Sequence, residues 1–135
     1  MANWHLIVPY DEWATEWLAA HGYRHPPVQS GNRLPTDSEI EEAVQELGIT
    51  SNAPLYIDGV GVGDSFNIRG DLVLELRLLR RLAERVGQMW VYPDSGSPAI
   101  VVDPTIDPEA VAAAWLRSES ADDSWTEFLG KLSDA

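Results

Sequence analysis

His21 and His25, four residues apart, are the first pair in this chain whose types and spacing suggest chemistry. On one helical face such a pair can share a zinc ion. Gly22 breaks the helical spacing between them, Pro26 follows, cysteine is absent and the third histidine is distant His5. The pattern therefore predicts no metal site. Gly59, Gly61 and Gly63 follow an apolar run, as in a dinucleotide-binding loop. That loop needs G-x-G-x-x-G opening directly into a helix, and the residue after Gly63 is Asp64, which would repel a phosphate. Asp58 and Asp64 flank the same loop, but two carboxylates fall short of the several alternate ligands of a calcium loop. No G-x-S-x-G elbow occurs, and Ser95 and Ser97 lie in a stretch with turn composition. Carboxylates are so numerous that no pair stands out for acid–base work. The sequence predicts no catalytic residue, no metal, no cofactor and no enzyme.

Charge is the strongest signal. There are 22 Asp and Glu against 9 Lys and Arg, a net −13 over 135 residues. Such a field repels nucleic acid and anionic membranes and accelerates encounter with a basic protein. The net is −6 in residues 1–52, −2 in 53–103 and −5 in 104–135, so the flanking thirds hold most of it. Arg77, Arg80, Arg81 and Arg85 form a cationic row, expected to pair with neighbouring acids such as Glu84 rather than to bind phosphate. Six tryptophans are present. Trp13, Trp17, Trp115 and Trp125 have the spacing of buried helical positions. In Met89–Tyr92, alternation would let Trp90 and Tyr92 face outward together, as an interface anchor ringed by acids.

The elements that hold these residues follow from periodicity and turn chemistry. Trp4–Val8 has a strand's composition and ends at Pro9. A helix is expected over 10–21, with Trp13, Ala14, Trp17, Leu18 and His21 on one face and Asp11, Glu12 and Glu16 in its opening turns. Residues 23–34 have a loop's composition. Thr36 and Glu39 have the spacing of a capping box, Ile40, Ala43, Val44 and Leu47 form an apolar stripe, and Gly48 ends the helix. Glu41, Glu42 and Glu46 face away from that stripe. Strands are expected at 55–58, 65–68, 89–92 and 99–102, the last two joined by a turn-rich connection. Residues 71–86 carry both helical and strand periodicity, and the unbroken arginine-rich continuation favours helix. Asp107-Pro108-Glu109 opens another helix, and a last one from Asp122 places Trp125, Phe128, Leu129 and Leu132 on one face. The expected architecture is one α+β domain over 1–135: a small, mostly antiparallel sheet with about five helices packed on it.

No N-terminal signal pattern, membrane-length apolar run or cysteine occurs. A cytoplasmic location is expected, and eight arginines to one lysine suggest a GC-rich bacterial genome. The favoured functional expectation is a non-enzymatic acidic binding protein that neutralises a basic partner, as an immunity protein neutralises a toxin nuclease. Its expected contact residues are Glu39, Glu41, Glu42 and Glu46, with Asp122 and Asp123, and Trp90 and Tyr92 as the aromatic anchor. Charge reversal at Glu41, Glu42 and Glu46 would then slow association without disturbing the fold. Two other classes compete: an acidic DNA mimic of the anti-defence kind, and a small-molecule-binding domain or small enzyme using the Trp-rich interior or the Gly59–Asp64 loop.

Overall fold

A computed structural model describes residues 5–21, 25–48, 55–59, 65–92 and 99–121, with side chains to residue 115. In chain order the elements are β1 (His5–Pro9), α1 (Glu12–Ala20), α2 (Asp37–Glu46), β2 (Leu55–Asp58), β3 (Phe66–Gly70), α3 (Leu72–Val86), β4 (Met89–Tyr92), β5 (Ile100–Val102) and α4 (Pro108–Ala121). The strands form one sheet in the order β2-β3-β1-β4-β5, and every pairing is antiparallel. The α+β architecture expected from the sequence is present, with four helices among the described residues. Asp122, Asp123, Trp125 and the rest of the expected final helix lie outside the described residues, as do 60–64 and 93–98.

Side-chain parity divides the sheet into two faces. Ile7 lies opposite Phe66 and Val91, and Ile100 lies opposite Val91. These residues belong to the larger core, with Ile40 and Ala43 of α2, Leu76, Leu79 and Leu82 of α3, and Val111 and Trp115 of α4. Residues of opposite parity turn to α1. Val8 lies opposite Trp90, and Trp90 opposite Val101. They meet Tyr10, Ala14 and Leu18 in a second, smaller core.

Local sequence explains the helices. The Asp11 side chain accepts from the Ala14 amide at 2.9 Å and starts α1. Asp71 does the same for α3 through Leu74 at 3.1 Å, which settles the ambiguous 72–78 stretch as helix. That helix packs against α2, α4, β3 and β5, so its buried face is wide, with Leu76, Leu78, Leu79 and Leu82 all fully enclosed. The Leu-x-Leu alternation is thus a broad helical face rather than a strand. Asp107 receives the Glu109 and Ala110 amides at the start of α4. Thr36 accepts from Glu39 N (3.2 Å) while the Glu39 carboxylate accepts from Thr36 N (3.0 Å), completing the capping box. Thr36→Ala is expected to cost about 1 kcal/mol, seen as a lower urea midpoint at unchanged m-value.

Residues 25–34, a loop by composition, are held by a buried amide. The Gln88 side-chain oxygen accepts from Gln29 N (2.8 Å) and Asn32 Nδ2 (3.1 Å), and its nitrogen donates to the Pro27 carbonyl (3.1 Å). Asn32 Oδ1 accepts from the Gln88 amide (2.8 Å), and Asn32 Nδ2 also donates to the Tyr10 carbonyl (2.9 Å). These bonds tie the loop to the β1–α1 junction and to the start of β4. Every polar atom they satisfy would otherwise carry a desolvation cost.

Candidate functional site

The arginine row of α3 is laced to its neighbours. Arg81 Nε donates to Glu46 at 2.6 Å, and Arg81 also pairs with Glu84 one turn on. Arg85 engages Glu42 and, at 2.9 Å, Glu46. Arg77 reaches Glu109 of α4 at 3.0 Å, and Arg33 holds both oxygens of Glu39 at 2.7 and 3.0 Å. The expected pairing of the cationic row with acids is therefore present, although its principal partners lie on α2 and α4 rather than on α3 itself. Arg80 makes no ion pair among the described residues; it lines a shallow cavity of about 290 Å³ with Leu47, Arg77, Arg81 and Glu84.

This lacing changes the standing of the α2 acids. Glu39 is committed to its cap and to Arg33. The guanidinium first, and the Thr36 amide next, pull its carboxyl down to about 2. A depressed carboxyl stabilises the fold above its ordinary value of 4.5, and that contribution fades as pH falls toward 2. Glu42 and Glu46 each face an arginine of α3, so their reversal to lysine would set like charges together. The triple reversal expected to spare the fold would instead break the α2–α3 contacts, and only Glu41 of the three is exposed without a cation among the described residues. Glu12, Glu16, Asp37 and Asp58 share that state.

The aromatic anchor also differs from expectation. Trp90 is 0% exposed, because its face of β4 is the one covered by α1. Its place at the surface is taken by Trp13, which is 51% exposed. Trp13 stacks on Tyr92 with centroids 5.7 Å apart and planes at 9°, and lies tilted over Trp90 at 5.8 Å. Trp17 contacts Trp90 at 6.0 Å and stacks on His21 at 3.8 Å. Periodicity alone could not separate Trp13 from Trp17, since both fall on the sheet side of α1. Trp13 sits in the first turn of α1 and Trp17 in the next. The Trp90 indole nitrogen is buried without an acceptor among the described residues.

Sequence reasoning passed over a third arrangement. His5 Nδ1 lies 2.7 Å from Glu75 Oε2, and Glu75 is 0% exposed within the larger core. The imidazole rests against the Trp115 ring at 4.7 Å. Burial pushes the Glu75 carboxyl upward, the His5 contact opposes that rise, and Asp71 adds to it. Glu75 Oε1 is buried without a partner among the described residues. Such a dyad orients an imidazole, but no metal-holding group of three or more His, Asp or Glu occurs among the described residues. The available signal was Glu75 itself, an acid at a buried position of the α3 stripe.

No family model, curated protein or solved structure matches the chain. Among the described residues, no helix is long and apolar enough to cross a membrane.

Proposed function

We propose that the protein is a non-enzymatic acidic binding protein that neutralises a basic protein partner, in the manner of an immunity protein directed against a bacterial toxin. One observation carries this reading. Arg33, Arg77, Arg81 and Arg85 are spent on pairs that tie the loop before α2, α2, α3 and α4 together. Glu12 and Glu16 of α1 and Asp37 and Glu41 of α2 are exposed and have no such partner among the described residues, so the negative field of a −13 chain points outward. A field of that sign raises the encounter rate with a cationic surface and is screened by salt.

The test is capture from a lysate of the source organism at low salt, followed by elution along a salt gradient. A single stoichiometric basic protein is expected, and its own activity should fall to nothing at one equivalent of this chain. Release of many weakly held cationic proteins, or a captured partner whose activity is unaffected, overturns the reading. Equal binding to unrelated DNA-binding proteins, competed by duplex DNA, would identify a DNA mimic instead.

A further inference from the structure

The Trp13–Tyr92 stack offers more than a lid for the smaller core. We infer that it is the docking surface for an arginine side chain on the basic partner, an inference that rests on the function proposed above and assigns it a place. Trp13 keeps half its surface in water although it belongs to an aromatic cluster of four rings. Glu12 and Glu16 adjoin it on α1, one residue before and three after, and both are exposed with no ion pair among the described residues. At i and i+4 these two carboxylates repel each other. A cation placed beside them relieves that repulsion, and none of the described arginines or histidines pairs with them.

A guanidinium suits this place better than an ammonium. Its plane can lie on an indole face while its N–H fork meets a carboxylate, and it is shed from water more readily. The fully buried Trp90 ring lies against Trp13, Trp17 and Tyr92, so the exposed Trp13 ring is presented from a packed aromatic base. Elsewhere the acids of α2 and α4 that meet arginines are already matched.

The probe is a blocked peptide of alternating arginine and glycine, titrated into the isotope-labelled protein at low salt and followed by amide and indole resonances. The largest shifts are expected at the Trp13 indole and at the amides of residues 12–17. The lysine counterpart should bind several-fold more weakly, and the uncharged citrulline counterpart not at all. Glu12→Gln with Glu16→Gln, both at exposed positions, should weaken binding at least tenfold and flatten its salt dependence. Trp13→Ala should weaken it by a similar factor, with the thermal transition recorded alongside because this ring covers Trp90. Shifts centred on Asp37 and Glu41, or equal affinity in the double glutamine variant, overturn the assignment. If a captured partner binds that variant as tightly as the parent, the surface is wrong and the proposed function stands. If the peptide maps to Trp13 while no basic protein is captured, the surface stands and the proposed function fails.

Discussion

His5→Ala is expected to lower the unfolding free energy by about 3–5 kcal/mol, the usual cost of leaving one member of a buried pair alone. Among the described residues Glu75 is wholly enclosed, one of its oxygens already lacks a partner, and the variant removes the only hydrogen bond made by the other. The deficit should depend on pH with a definite sign. Burial raises the Glu75 carboxyl in the folded chain, and loss of the imidazole removes an influence that lowers it. The folded variant then holds a proton more tightly than the unfolded chain does. Its stability contribution is complete below the ordinary carboxylate value and is lost as pH rises through the folded one. Urea denaturation should therefore show a smaller gap between variant and parent at pH 5 than at pH 8. Replacing both residues, His5→Leu with Glu75→Leu, should recover most of the loss, since apolar substitutes for buried pairs are often neutral or stabilising. A gap that is equal at both pH values would mean the buried carboxylate is not its source.

Gly87→Ala is expected to cost about 2–6 kcal/mol, while Gly48→Ala should cost about 1 kcal/mol or little more. Both glycines end helices with positive φ, at +87° and +68°. At Gly48 an added Cβ meets nothing within 4 Å. At Gly87 it would fall on Asn32 Oδ1. With ψ at −156° Gly87 also occupies a backbone region reserved almost wholly for glycine. Moving Asn32 would release the Gln88 amide and the Tyr10 carbonyl together. Thermal melts of the two variants should separate by several degrees. Equal melting temperatures would show that the Asn32–Gln88 amides are not coupled to that turn.

Elements governed by local chemistry were legible in the sequence. The Thr36–Glu39 box, the Asp107-Pro108 start and the Gly48 stop each depend on residues within one turn of one another. What needed the third dimension was less accessible. The charges of Glu42, Glu46, Arg81 and Arg85 read as two opposite surfaces because they lie some forty residues apart, yet α2 beside α3 turns them into one laced seam. Alternation correctly split Trp90 from Val91, but it could not say that both faces of β4 are covered. For that reason Trp90 proved buried. The His5–Glu75 pair joins residues 70 apart, beyond the reach of any spacing rule.

The strand order carries a consequence for how the protein is made. β1, the earliest described strand in the sequence, is the middle one, and its two neighbours are β3 and β4. Leu6 waits for Asn67 on one side and Tyr92 on the other. During synthesis the β2–β3 hairpin can close early, whereas the centre of the sheet cannot be completed before Tyr92 has left the ribosome. Until then α1 has only half a surface to lie on, and its tryptophans have no Trp90 to cover. Nascent chains halted short of β4 should therefore be recognised by chaperones that bind exposed aromatic segments, and chains halted beyond β5 should escape them.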